Sequence, residues 1–137
     1  MSLVLVLGLV LFCGSGLNSN SGLVRDRFGL HKLVIAVTRP GKVLAIDSLT
    51  GRVVWQRLPW RHLVDADDAQ LTLLVQRTSA HYALEPQCLV VASRRGHPSS
   101  LFAFQPVTGR QVALLSLDYA IDQVAHLPTC LYLVSPV

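Results

Sequence analysis

Two stretches of nine residues in this chain resemble each other. Ile46–Val54 (Ile-Asp-Ser-Leu-Thr-Gly-Arg-Val-Val) aligns with Phe104–Val112 (Phe-Gln-Pro-Val-Thr-Gly-Arg-Gln-Val), and Thr-Gly-Arg is identical in both. The glycines of the two triplets, Gly51 and Gly109, lie 58 residues apart. A repeat of that length, with several short apolar runs and no helical periodicity, is typical of the blades of a β-propeller.

The first repeat has the pattern of a three-stranded antiparallel meander over Lys32–Leu58. Its apolar runs are separated by Pro40-Gly41 and by Thr50-Gly51. Proline at the second turn position with glycine next predicts a type II turn, and an Asp or Ser side chain just before Thr50 can cap the other turn. We expect Trp55, near the end of the meander, to anchor the packing of the blade.

The second repeat predicts the same hairpin with a longer turn. Its strands are Leu89–Ser93 and Leu101–Phe104, and Leu71–Arg77 begins the blade. Leu114–Leu117 closes this blade, and Cys130–Val134 begins a third one. The predicted fold class is therefore all-β, with antiparallel four-stranded blades of an incomplete propeller, about two blades plus part of a third, over residues 23–137.

Residues 1–22 form a separate apolar N-terminal segment. Its run Leu3–Cys13 is too short to span a bilayer as a helix, which needs about 20 residues. The length suits the core of a signal peptide, and small residues follow it, although no Lys or Arg precedes it. The alternative is that the run forms a strand pair that turns at Gly8. Both interpretations stay open at the level of sequence.

Charge and cysteine usage exclude several classes of function. The net charge of +4 comes from bases that are scattered mostly at turns and strand ends, so we expect no nucleic-acid partner. Cys13, Cys88 and Cys130 have no spacing that could make a zinc site. A Cys88–Cys130 disulfide is one alternative, and buried free thiols are the favoured one.

No residue pattern predicts catalysis or ligand binding. The histidines fall at irregular intervals, and Asp65, Asp67 and Asp68 lack the glycine and glutamate of a calcium loop. Ser79 and His81 lie close in sequence, but no nucleophile elbow surrounds the serine. We therefore predict no catalytic, cofactor-binding or metal-binding residues, and no enzyme activity. The five histidines are His31, His62, His81, His97 and His126.

Longer stretches carry a resemblance. Gly41–Trp55 resembles the repeat of quinoprotein-type (PQQ-like) β-propellers. Arg25–Leu33, Leu74–Tyr82 with Pro86–Cys88 behind it, and Ser99–Pro106 are similar to the luminal propeller of subunit 1 of the ER membrane protein complex. The order and spacing of these stretches match that family over roughly residues 24–137.

The resemblance implies a non-catalytic scaffold on the lumenal side of the ER membrane. Its implied partners are the other subunits of a complex that inserts and folds transmembrane proteins, with no cofactor and no small-molecule substrate. Membrane association would come only through missing parts or through partners. One alternative is a fragment of a quinoprotein-like enzyme or assembly propeller, which would need a calcium site and a closed polar pocket. Another is a truncated product without a function.

Overall fold

The computed structural model describes the backbone of five ranges, and every regular element within them is a β-strand. These ranges are residues 6–11, 32–60, 68–77, 84–126 and 131–134.

The strands form three antiparallel sheets, and neighbouring strands in each sheet are consecutive in the chain. The first sheet has four strands, the second has four and the third has two. The first sheet contains β1 (Val6–Leu11), β2 (Lys32–Val37), β3 (Val43–Asp47) and β4 (Val53–Arg57). The second contains β5 (Gln70–Arg77), β6 (Gln87–Arg94), β7 (His97–Phe104) and β8 (Gln111–Ser116). The third contains β9 (Gln123–His126) and β10 (Leu131–Val134).

This topology confirms the predicted fold class of two four-stranded antiparallel blades and the beginning of a third. The repeat extends to irregularities in the strands. A register shift between Ala45 and Ile46 interrupts the β3–β4 pair, and one between Ala103 and Phe104 interrupts the β7–β8 pair. The two shifts are 58 residues apart, as are the two Thr-Gly-Arg triplets, so the bulges are part of the repeated unit.

Two details of the predicted strands are wrong. The third sheet begins with β9, so the strand predicted at Cys130–Val134 is its second strand, β10. The apolar pattern does not predict β9, because Gln123 and His126 at its two ends are polar. In the first sheet, Gly8 pairs with Ile35 inside the continuous strand β1, so the chain does not turn at Gly8.

The Pro40 turn is also shifted by one residue from the prediction. The amide of Gly41 donates to the carbonyl of Thr38, which makes proline the third turn residue instead of the second. The buried Thr38 fixes this register, because its backbone amide and its hydroxyl both bond to the carbonyl of Lys42. Gly41 still has the positive φ, 85°, that a glycine accepts without strain.

The main core lies between the first two sheets. Alternate residues of β2 and β3 point to it from one side, and alternate residues of β6 and β7 point to it from the other. It contains Leu33, Ile35, Val37, Val43 and Ala45 of the first sheet and Cys88, Val90, Ala92, Phe102 and Phe104 of the second. A second cluster covers the opposite face of the second sheet and includes Leu89, Val91 and Leu101, with Val124 of β9 packed against it.

Cys88 lies inside the main core as a free thiol with no exposed surface. Burial raises its pKa from 9.0 to about 12, because an apolar environment disfavours the thiolate. Its predicted alternative partner, Cys130, lies outside the described residues.

We expect the Cys88 thiol to resist alkylation in the folded chain. Only the thiolate is nucleophilic, so iodoacetamide at pH 8 should modify Cys88 slowly in buffer and rapidly in urea, in a chain with Cys13→Ser and Cys130→Ser. Between pH 9 and about 12 the unfolded chain loses a proton that the folded chain keeps, so the free energy of unfolding should fall as pH rises. Equal alkylation rates in both states would contradict the buried position.

Candidate functional site

Each Thr-Gly-Arg turn is capped by the side chain four residues before its glycine, although the backbone amide that donates to the cap differs. In the first, Asp47 Oδ1 accepts from the amide of Leu49, and Asp47 Oδ2 accepts from the hydroxyl of Thr50. In the second, Gln105 Oε1 accepts from both the amide and the hydroxyl of Thr108. An Asp side chain and a Gln side chain therefore cap equivalent turns, which confirms the predicted cap before Thr50.

The glycine of each turn has the same backbone conformation. Gly51 and Gly109 both have a φ of 69°, and each amide donates to the carbonyl of the capping residue, Asp47 or Gln105. Other L-residues are strained in this left-handed conformation, so the geometry of the turn explains why glycine stands at both positions.

Trp55 joins the first sheet to the turn of the second sheet. Its indole Nε1–H donates to the carbonyl oxygen of Pro106 at 2.8 Å. Its ring meets Phe104 edge to face, with centroids 5.4 Å apart and planes at 73°. Arg57, two residues along β4, donates from Nε to the carbonyl of Gly109 at 3.2 Å. Both side chains project from the last strand of one sheet onto the Thr-Gly-Arg turn of the next.

The indole ring of Trp55 packs directly against the backbone of Gly109. A Cβ atom at this position would lie 2.6 Å from Trp55 Cδ2, closer than real Cβ contacts allow. A Cβ atom at Gly51 would meet no atom within 4 Å among the described residues. The two glycines therefore have the same backbone conformation but different surroundings. Among the described residues, a Cβ atom would clash with the packed indole at Gly109 and would meet no neighbour at Gly51.

We call the contacts of Trp55 and Arg57 with Phe104, Pro106 and Gly109 the joint between the two blades. A donor hydrogen bond, an aromatic contact and a close approach to glycine fix both the distance and the angle of the two sheets. The predicted role of Trp55 as a packing anchor is confirmed. Sequence reasoning missed the role of Arg57, and it missed Pro106 and Gly109 as the partners of Trp55, although the identical triplet was the available signal for Gly109.

The residues considered for chemistry do not converge in the part of the chain that is described. Asp68 is exposed and pairs with Arg94, Nε to Oδ2 at 2.8 Å, and this hydrogen bond lowers the pKa of Asp68. His97 is exposed at the start of β7, and His126 ends β9. Among the described residues no group of three or more His, Cys, Asp or Glu could hold a metal ion. The remaining candidates, Asp65, Asp67, Ser79, His31, His62 and His81, lie outside the described residues.

A cavity of about 610 Å³ opens beside Trp60. It is lined by Pro59, Arg94, His97 and Leu114 among others. Trp60 itself is 2% exposed and meets Phe102 edge to face at 6.0 Å, so it belongs to the main core. Sequence reasoning did not single out Trp60, because it follows the last apolar run of the meander.

Over the described ranges, no helix is long and apolar enough to cross a membrane.

Comparison with known proteins places this architecture in a family. A family model described as ER membrane protein complex subunit 1, second β-propeller, matches residues 29–134. The ER membrane protein complex subunit 1 of Gallus gallus is 38% identical over 109 residues, and that of Xenopus laevis is 37% identical over the same length. Each match covers 77% of this chain and 11% of the relative. The chain thus spans about a ninth of the length of these curated relatives.

The two glycines allow a matched test of the joint. Gly109→Ala and Gly51→Ala both place alanine at a φ of 69°, which should cost about 1–2 kcal/mol each in the free energy of unfolding. Gly109→Ala should cost about 1–3 kcal/mol more, because its Cβ displaces the indole of Trp55. Urea unfolding followed by circular dichroism measures both values, and equal losses would show that Trp55 does not rest on Gly109.

Truncation of Trp55 should lower the free energy of unfolding for two reasons, the loss of the ring and the loss of its hydrogen bond to Pro106. Trp55→Ala should lower the free energy of unfolding by about 3–5 kcal/mol, because it removes a large ring from the contact between the sheets. Trp55→Phe keeps an aromatic ring but loses the bond to Pro106, which should cost about 1 kcal/mol from the hydrogen bond alone. A loss under 1 kcal/mol for Trp55→Ala, again by urea unfolding, would show that the ring is exposed.

Proposed function

Because this chain belongs to the family of ER membrane protein complex subunit 1, we propose that it acts as a non-catalytic scaffold segment of that complex on the lumenal side of the ER membrane. Its partners are the other subunits, and its contribution is to support the insertion and folding of transmembrane proteins. The match over residues 29–134 supports the assignment to the complex.

The joint between the sheets is the observation that carries the scaffold role. Trp55 and Arg57 fix one blade on the turn of the next through contacts to Pro106, Phe104 and Gly109. Blades held in this way present a rigid surface, and rigid surfaces bind partners without a large cost in conformational entropy. A surface of this kind suits the assembly of subunits, and we propose no enzyme activity and no cofactor for it.

The N-terminal segment has two proposed roles that exclude each other. We propose residues 1–22 as a candidate signal peptide and residues 23–137 as the propeller part. In the structure Val6–Leu11 is also the first strand of the first sheet, paired with β2 from Val6–Val37 to Leu11–Lys32. A cleaved segment cannot stay in the sheet, so one of the two roles must fail.

Intact mass measurement of the chain after expression in ER-containing cells distinguishes these roles. If the segment is a signal peptide, the mass falls by that of the cleaved residues. If β1 is a permanent strand, the mass is that of the full chain, and deletion of residues 1–22 should destabilise the first sheet, because β2 then loses every bond of its ladder with β1.

The scaffold proposal predicts capture of the complex. The tagged chain, recovered from ER membranes in mild detergent, should bring down other subunits of the ER membrane protein complex in stoichiometric amounts. Trp55→Ala, which loosens the joint, should lower the recovery at least fivefold, whereas Leu84→Ala, a change at an exposed position of the second repeat, should not. Recovery of chaperones alone with the unchanged chain would contradict the proposed function.

A further inference from the structure

The cavity beside Trp60 is lined from both blades, and one of its lining residues has an unsatisfied hydrogen-bond donor. Pro59 and Trp60 follow the last strand of the first sheet, and the other lining residues belong to strands of the second sheet. The indole Nε1–H of Trp60 is buried and has no acceptor among the described residues. A buried N–H without a partner costs free energy, because it has lost its bond to water and gained none in return. A ligand that brings an acceptor to this group would remove that cost.

The polar side chains of the cavity indicate that the acceptor is an anion. They are the cationic Arg94, the imidazole of His97 and the hydroxyls of Ser100 and Ser116, which pair across β7 and β8. No side-chain carboxylate or amide belongs to the lining. Every lining side chain with a polar atom can therefore donate a hydrogen bond to an oxyanion.

Arg94 keeps part of its guanidinium available for such a ligand. Its Nε donates to Asp68 at 2.8 Å, and this ion pair is partly exposed. The two Nη groups of Arg94 have no partner within the described ranges. A guanidinium has five N–H donors, so Arg94 can bind a second carboxylate without releasing Asp68.

The third wall of the cavity is the edge strand β8. This strand lies at the end of the second sheet and, among the described residues, pairs only with β7. Leu114, Leu115 and Ser116 of β8 line the cavity, and the two leucines are 43% and 53% exposed. Gln111–Ser116 contains no charge and no proline, the residues that usually prevent an edge from pairing. The backbone of β8 can therefore accept a further strand.

We propose that the cavity beside Trp60 binds the acidic side chain of an extended peptide that pairs with the edge of β8. Alternate residues of a strand point to the same face of a sheet. A glutamate beside Ser116 and an apolar residue two positions away, beside Leu114, would therefore both face the cavity. The carboxylate would accept from the indole of Trp60 and from the guanidinium of Arg94.

The size and the mixed lining of the cavity favour a peptide over a small inorganic anion. Its volume of about 610 Å³ lies within the range of ligand sites, about 300–1,000 Å³. Pro59, Pro98 and Leu114 give it apolar walls beside the donors. An acidic residue with an apolar neighbour at strand spacing uses both parts of this lining, whereas phosphate or sulfate uses only the donors.

The two indole N–H signals of the chain test this site directly. The chain has only two tryptophans, and the Trp55 indole already donates to Pro106, so Trp55 is an internal control. Trp60→Phe, which keeps a ring in the core, identifies the Trp60 signal by its loss. In ¹H–¹⁵N spectra of the full chain, the peptide acetyl-Thr-Val-Thr-Glu-Thr-amide should move the Trp60 signal downfield and leave the Trp55 signal in place. The backbone amide signals of β8 should move with it.

A matched peptide and a matched pair of variants test the role of charge. The same peptide with glutamine in place of glutamate should bind at least about tenfold more weakly, because it loses the charge-assisted hydrogen bonds. Arg94→Gln should weaken binding of the glutamate peptide at least about fivefold. Arg110→Gln should leave the binding unchanged, although it also removes an arginine that pairs with a carboxylate, Glu85, on the second sheet. An unmoved Trp55 signal reports that the joint is intact in each variant.

Three results would overturn the proposal. The first is a Trp60 signal that the glutamate peptide does not move, and the second is equal binding of the glutamine peptide. The third is an equal shift of the Trp60 signal with inorganic phosphate alone, which would identify a site for small anions. None of these results bears on capture of the complex, so the scaffold role stands or fails separately.

Discussion

The position of Trp55 over Gly109 is the contact on which the relation of the two sheets depends. Each four-stranded sheet can satisfy its inner backbone bonds alone, but the apolar faces between the sheets need a fixed distance and angle to pack. The indole ring sets both, because its N–H reaches the carbonyl of Pro106 while its face lies against the backbone of Gly109. Apolar side chains of the main core, such as Val43 and Phe104, cannot form a directional hydrogen bond of this kind.

The contact is not symmetric between the two described blades. One blade donates a tryptophan and an arginine, and the next blade receives them on its turn. Repeats of this type contact only their neighbours, so stability is a sum of blade terms and joint terms. Among the described residues there is one such joint, and β8 has Ala113 and Leu115 at the positions that correspond to Trp55 and Arg57.

The sequence predicts those parts of the fold that depend on local physics. The cap by Asp47, the positive φ of Gly41 and the strands β2, β3 and β4 follow from turn chemistry and from apolar alternation over a few residues. The alignment of two phrases then extends the prediction to the second blade. Trp55 is recognisable as an anchor because a large ring at the end of an apolar run rarely has another role.

The remaining features of the fold depend on contacts that no local sequence pattern predicts. The partners of Trp55 lie 49 to 54 residues later in the chain, and nothing in Pro106 itself marks its carbonyl as an acceptor. The register of the Pro40 turn is decided by the buried side chain of Thr38 instead of by the proline. Strand β9 depends on its pairing with β10, since its own residues are half polar.

A double-mutant cycle between Trp55 and Gly109 tests the central claim most directly. The free energy of unfolding is measured for the chain, for Trp55→Ala, for Gly109→Ala and for the double variant. If the indole rests on Gly109, the alanine at 109 should cost no more than the backbone strain of about 1–2 kcal/mol once the ring is gone, and the coupling energy should reach at least about 1 kcal/mol. Additive losses would contradict the account, because they would mean that the two residues do not touch and that the sheets are held together by some other contact.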